Sequence, residues 1–344
     1  MTNIKAVALV SGGLDSLLAA KLIAMQGIEV HVVHFQSYFF SSKLSSRISY
    51  IKQLNLPIKI IDITKKQLDV IKNNVYGFGK ALNPCIDCHA MQIKTAKEYL
   101  DEIGGHFIIT GEVLGQRPKS QRKEALRMVD KLTFLGDITL RPLSAKLLEP
   151  TLPEREGWVD REKLLDIKGR SRERQMKLAE EFGLNYPSPG GGCLLTEVGY
   201  SKKLKELLDN TTYRDIEPFD IFLLKLGRHL RVPGMGKIIL SRTEEEGKLF
   251  YHTIFKKNKD KLFFVKSLNN KGPVALLEKI YDNNFLTSAL SILYFYGKKY
   301  SQDVLTVIQL DDNLNEKEIF RIETKNLPQI TEKDFIFVSN WSLR

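Results

Sequence analysis

Six residues near the amino terminus, Ser11-Gly12-Gly13-Leu14-Asp15-Ser16, have the chemistry needed to hold an anion. They follow an apolar run, Ile4 to Val10, and open an amphipathic one, Leu17 to Met25, so they read as a strand, a tight glycine turn and a helix start. Adjacent glycines reach backbone conformations closed to other residues, and the free N–H groups of a helix N-terminus point at whatever lies there. Ser11 and Ser16 add hydroxyl donors. Asp15 would repel a bare phosphate, which implies a bridging magnesium ion and a metal-chelated polyphosphate as the ligand. The Lys followed by Ser or Thr that a Walker-type P-loop requires is missing here, and Gly77-Phe78-Gly79-Lys80 fails that pattern at Asn74 and Ala81.

The three cysteines each sit in a motif. Asn83-Pro84-Cys85-Ile86-Asp87-Cys88-His89 holds a C-x-x-C just before an expected helix, and Cys193 follows Gly190-Gly191-Gly192. An odd count argues against structural disulfides. Three readings remain open: three ligands of a [4Fe–4S] cluster with one iron free, a persulfide and its resolving thiol, or a zinc site completed by a histidine such as His89.

Strand-like segments at Glu29 to His34, Ile58 to Ile63, Phe107 to Thr110 and Ile138 to Leu140 alternate with helical ones near Ser42 to Leu54, Cys88 to Ile103, Arg161 to Leu165 and Ser171 to Glu181. That alternation predicts an α/β fold with a doubly wound, mostly parallel sheet over residues 1–195. Ligands of such sheets lie at the carboxyl ends of the strands, so His34, Thr110 to Gly115 and Arg141 belong on the rim that holds Ser11 to Ser16. Beyond the break at Pro187 to Gly192, shorter segments including Ile216 to Leu226, Lys237 to Ser241, Leu262 to Val265, Val304 to Leu310 and Phe335 to Val338 predict a separate α+β domain over 200–344. The chain has 344 residues and a net charge of +11, which suits a polyanionic partner and equally a solvated lysine-rich surface. Neither a leader pattern nor an apolar run long enough to cross a bilayer is evident, so a cytoplasmic location and no membrane partner are expected.

The Ser11 to Ser16 string resembles the pyrophosphate loop of the PP-loop ATP pyrophosphatases, whose fold is HUP-like. Ile108-Ile109-Thr110-Gly111-Glu112-Val113-Leu114-Gly115-Gln116 and Arg141-Pro142-Leu143 are similar to segments of the tRNA 4-thiouridine synthetases. The cysteine layout resembles that of the cluster-dependent tRNA thiolases, and Leu226 to Arg231 with Lys237 to Leu240 resemble part of an NFACT-type RNA-binding module. These resemblances imply ATP and Mg2+ as cofactors, a [4Fe–4S] cluster on Cys85, Cys88 and Cys193, and tRNA plus a sulfur donor as partners. They imply that the chain adenylates a uridine carbonyl, whose oxygen sulfide held at the open iron then replaces. The chain starts directly at the loop, without the N-terminal domains of the 4-thiouridine synthetases or their rhodanese-like extension, so delivery of tRNA is expected from the C-terminal domain.

In that scheme Asp15 and the three cysteines are catalytic, and the nucleotide is bound by Ser11, Gly12, Gly13, Asp15, Ser16, Thr110, Gly111 and Gln116. His34 and Phe35 are placed to line an adenine pocket, although a strand-end histidine equally serves packing. Glu112 and Gln116 are expected on the nucleotide or target base. Arg117, Lys119, Arg122 and Lys123, with Arg170, Arg172 and Arg174, are expected along RNA phosphates. Two other classes remain: a PP-loop ligase with a nitrogen nucleophile, which has no need of three motif-bound cysteines, and a non-catalytic RNA- or nucleotide-binding protein, which has no need of Asp15.

Overall fold

The computed structural model describes residues 4–41, 44–188, 192–212, 215–255, 262–269, 271–280, 282–300, 303–311, 313 and 315–338. The chain divides into two compact units, Met1–Glu197 and Val198–Arg344. Ser42, most of the glycine break at 189–191 and the last residues of the expected second domain lie outside the described residues.

The first unit runs β1 (Lys5–Leu9), α1 (Leu14–Ala24), β2 (Glu29–Gln36), α2 (Leu44–Lys52), β3 (Ile58–Asp62), α3 (Thr64–Lys72), α4 (Cys85–Glu102), β4 (Phe107–Thr110), α5 (Lys123–Thr133), β5 (Thr139–Leu140), α6 (Leu152–Arg155) and α7 (Glu173–Glu181). Its five strands pair in parallel in the order β3-β2-β1-β4-β5. Sheet neighbours depart from β1 in opposite directions, so the switch point that opens a crevice lies between β1 and β4. Both faces of the sheet are covered, which is why the strands read as apolar runs. On one face Ala6, Ala8 and Ile109 pack with Leu17, Leu18 and Ile51, and on the other Val7, Val33 and Ile108 pack with Ile93, Ala96 and Val129.

α4 begins at Cys85 rather than near Cys88, so both thiols of the C-x-x-C sit in its first turn. The helices α3 and α5 complete the layer and were not anticipated as separate elements. The expected helix at Arg161 to Leu165 is a short 3-10 turn, Arg161–Lys163.

The second unit contains α8 (Val198–Asn210), α9 (Pro218–Leu223), β6 (Arg228–Val232), β7 (Gly236–Leu240), α10 (Glu244–Leu249), β8 (Phe263–Ser267), β9 (Ala275–Leu277), α11 (Asn283–Gly297), β10 (Val304–Leu310), β11 (Glu316–Glu323) and β12 (Ile336–Phe337). Seven antiparallel strands form one sheet, β11-β10-β8-β9-β7-β6-β12. Strand alternation splits its apolar residues between two faces: Ile238 and Leu277 pack with Phe285, Leu290 and Leu293 of α11, while Ile239 and Leu276 pack with Phe250 and Phe255. Ile216 to Leu226 is not strand-like; Pro218 near the helix start and the reciprocal Glu217–Asp220 cap make it the short helix α9. Among the described residues no helix is long and apolar enough to cross a membrane.

Candidate functional site

Ser11 to Ser16 leaves the carboxyl end of the central strand β1, and the Thr110 segment leaves the end of its neighbour β4. The two turns touch backbone to backbone. A Cβ on Gly111 would lie 2.6 Å from the main-chain nitrogen of Ser16, so only glycine permits this approach. Gly12 has φ +75°, and a Cβ there would stand 3.0 Å from the carbonyl oxygen of Arg47 on α2. The Ser16 hydroxyl donates to the Gly13 carbonyl at 2.9 Å and accepts from the Ser11 amide at 3.2 Å. No side chain caps α1 at Gly13, which leaves the first amides of the helix without the usual capping oxygen.

Asp15 is the hub of a second layer. Gln116 Nε2 donates to its Oδ2 at 2.7 Å, Gln175 Nε2 of α7 donates to Gln116 Oε1 at 3.0 Å, and Arg172 Nη2 stands 3.9 Å from Asp15 Oδ2. The 168–175 segment reaches this point because Lys168 bridges in parallel to Leu114 and the Gly169 amide donates to the Leu114 carbonyl. Ser144 locks the same junction, accepting from the Leu114 amide and donating to the Ile167 carbonyl. Three buried atoms here have no hydrogen-bond partner among the described residues: Asp15 Oδ1, Arg172 Nε and Gln175 Oε1. Buried polar atoms are normally paired, so an acceptor–donor set left open beside a glycine cradle marks a place for a charged ligand. Arg47, against Gly12, carries no ion pair among the described residues.

Glu112 is placed differently from expectation. It is buried and binds Arg141 Nε at 2.9 Å, His89 Nδ1 at 2.8 Å and the Thr110 hydroxyl at 3.2 Å, while Arg141 also holds Asp130. Burial would raise its pKa, but the Arg141 charge and the His89 hydrogen bond outweigh that and bring it to about 2. Glu112 and Thr110 are thus held in a buried hydrogen-bonded network. Phe35 packs in the core with Val7, Ile63 and Ile93. His34 is buried, donates from Nδ1 to the Val10 carbonyl at 2.8 Å, and is held neutral by burial and by Arg47.

Cys85 and Cys88 open α4, and Cys193 comes from distant sequence. Cys193 is held beside the chain that follows β2, bridging antiparallel to Phe40, with the Leu194 amide donating to the Phe39 carbonyl. Cys85 accepts from Asn83 Nδ2 at 3.1 Å. Burial raises the Cys88 thiol strongly, with Cys193 and Cys85 adding to the shift; Cys193 is raised to about 11 by burial and Cys85, against the opposing charge of Arg117. Three thiols have the donor chemistry of an iron–sulfur site, but among the described residues no three His, Cys, Asp or Glu side chains converge as a metal-binding group. Arg117, Arg122 and Lys123 are exposed on the same rim, and Lys119 donates to the Phe78 carbonyl. Of the later arginines, Arg174 pairs with Asp166, Arg170 is exposed and Arg172 turns inward to Asp15.

Residues 1–146 match the family model described as thiamine biosynthesis protein, ThiI. That match lies within the first unit, Met1–Glu197, and covers less than half of the chain. Residues 227–336 match the model of the NFACT protein RNA-binding domain, so the resemblances to the 4-thiouridine synthetases and to an NFACT-type module are borne out. A probable tRNA sulfurtransferase of Alkaliphilus metalliredigens is 30% identical over 157 residues, 42% of this chain and 36% of that protein. The tRNA-specific 2-thiouridylase MnmA of Desulfosudis oleivorans is 31% identical over 108 residues, 30% of each chain. The chain thus spans about a third of the length of these relatives. A 4-thiouridine synthetase solved with RNA and ATP aligns with 52% of this chain and 51% of its own at 22% identity and a TM-score of 0.35.

Sequence alone does not place Arg47, Arg172 and Gln175 beside the glycine loop. Arg47 lies in a polar helix with no motif, and Arg172 and Gln175 reach the loop only through the Leu114–Lys168 bridge.

Proposed function

We propose that this chain is an ATP-dependent tRNA sulfurtransferase that adenylates a uridine carbonyl and exchanges its oxygen for sulfur. The observation that carries the reading is the Asp15–Gln116–Gln175 chain, which ties the glycine cradle to the segment that follows Thr110, in a domain that also places Cys85 and Cys88 at the start of α4. The relatives named for tRNA thiolation support the same class of chemistry.

In this reading the cradle amides and Ser11 and Ser16 hydroxyls receive the phosphates, Arg47 and Arg172 supply the positive charge that a polyphosphate needs, and Asp15 Oδ1, open in the structure, would take a magnesium ion. Uridine oxygen attacks the α-phosphorus and pyrophosphate leaves; a sulfur nucleophile then attacks the activated carbon and AMP leaves with the oxygen. Cys85, Cys88 and Cys193 would hold a [4Fe–4S] cluster, which when bound supplies an iron site for sulfide. The thiols are what favour sulfur over a nitrogen nucleophile. The NFACT-type domain and the rim cations would engage the tRNA.

The test follows pyrophosphate release and nucleoside mass spectrometry in parallel. Asp15→Ala should lower tRNA-dependent pyrophosphate release by about a hundredfold or more. Replacing any one of the three cysteines by Ala should abolish thiouridine while leaving pyrophosphate release, and should also lose the iron, about four per chain in anaerobically reconstituted protein. Wild-type pyrophosphate release by the Asp15 variant, or thiouridine made by a cysteine-free variant, would overturn the assignment; thiolation by iron-free protein would overturn the cluster alone.

A further inference from the structure

The solvent face of α5 carries a row of cations that ends on a strained, uncovered aromatic ring. Lys123, Arg127 and Lys131 recur every fourth residue, which stacks their side chains on one face about 6 Å apart along the helix axis. All three are exposed, as are Arg122 and Arg117 before the helix; none of these five side chains forms an ion pair among the described residues. The opposite face, Ala125, Leu126, Val129 and Thr133, is buried against the sheet layer. Of the two acids in the helix, Asp130 turns inward to Arg141, leaving Glu124 exposed.

The helix then closes on Phe134, whose backbone is left-handed at φ 59° and ψ 23° and whose residue is 89% exposed. A bulky side chain is unfavourable there, where Gly or Asn sits without strain, and the capping contact that ends the helix is made by the Phe134 amide to the Asp130 carbonyl, which needs no ring. Neither the turn nor the core asks for a phenyl group at this position. Strain retained without a packing reward points to a ligand for the ring.

We propose that α5 is an RNA track on the first unit, with Lys123, Arg127 and Lys131 following phosphates and Phe134 stacking on an unpaired base. Regular cations supply the salt-dependent backbone term, and a lone aromatic at their end supplies a sequence-tolerant platform. Phe134, even with the partly exposed Met128 of the same helix, offers too small an apolar area to form the core of a protein interface. The proposal rests on the reading of tRNA as the substrate, and extends it to residues beyond the reacting rim.

The experiment measures binding of bulk tRNA to the full chain across a salt series, with thermal melting of each variant. Arg127→Ala with Lys131→Ala should weaken binding and flatten the log–log salt dependence by about two counterions. Phe134→Gly should weaken binding about tenfold while its melting temperature holds or rises, because glycine relieves the left-handed strain; Phe134→Tyr should bind as wild type. An unchanged slope in the double variant together with unchanged affinity in Phe134→Gly would overturn the track. Wild-type protein that binds no tRNA would instead overturn the substrate reading on which it rests.

Discussion

At the scale of single residues, backbone demands were legible and charge partnerships were not. Gly12 and Gly111 announce themselves because a left-handed φ and a 2.6 Å approach are requirements only glycine meets, and each lies within a short motif. Glu112 was expected to face a ligand because its motif sits on the rim. Its partners, His89 and Arg141, come from another helix and another strand end, and no local spacing discloses them. The consequence is testable. Glu112→Gln would leave Arg141 buried with Asp130 as its remaining carboxylate, and removing one partner of a buried pair typically costs about 3–5 kcal/mol. Urea unfolding should show that loss at neutral pH, with partial recovery in the Glu112→Gln, Arg141→Met double variant. A single-variant loss under about 1 kcal/mol would mean that Arg141 is already satisfied by Asp130.

At the scale of elements, the parallel strands were readable because both faces of the sheet are covered and leave continuous apolar runs, whereas helices with polar faces blurred into the connections. α5 is the instructive case: the basic patch expected from sequence ended at Lys123, whereas burial of Ala125, Leu126 and Val129 on one face leaves Lys123, Arg127 and Lys131 as an ordered row on the other. The contact between the turns after β1 and β4 makes a prediction with an internal control. Gly111→Ala drives a methyl group into the Ser16 backbone, so it should cost about 1–3 kcal/mol of stability and at least about tenfold in affinity for ATP with magnesium. Gly199→Ala lies in α8 of the other unit with nothing within 4 Å of the added carbon, so it should stabilise by up to about 1 kcal/mol. Equal effects of the two substitutions on nucleotide affinity would show that the close approach has no bearing on the cradle.

At the scale of the whole molecule, each unit buries a histidine that the fold keeps neutral, and this sets a shared response to acid. His34 is lowered by burial and by Arg47, against the raising effect of its bond to the Val10 carbonyl. His229 is lowered further, by burial and by Lys237 and Lys203, although its Nε2 donates to the Leu223 and Leu226 carbonyls. In the unfolded chain both protonate near their ordinary pKa of about 6.5, so below that pH the unfolded state binds more protons than the native state and stability falls. The loss is at most about 1.4 kcal/mol per pH unit for each histidine, and it is absent above about pH 7.5. Calorimetry should therefore show melting of both units moving to lower temperature from about pH 7.5 to about 5.5. His34→Asn should flatten that dependence for the first unit alone and His229→Asn for the second alone, each variant starting from lower stability at neutral pH because a buried hydrogen bond is disturbed. Melting that is independent of pH over this range, or that rises as acid is added, would show that the two rings accept protons inside the folded units.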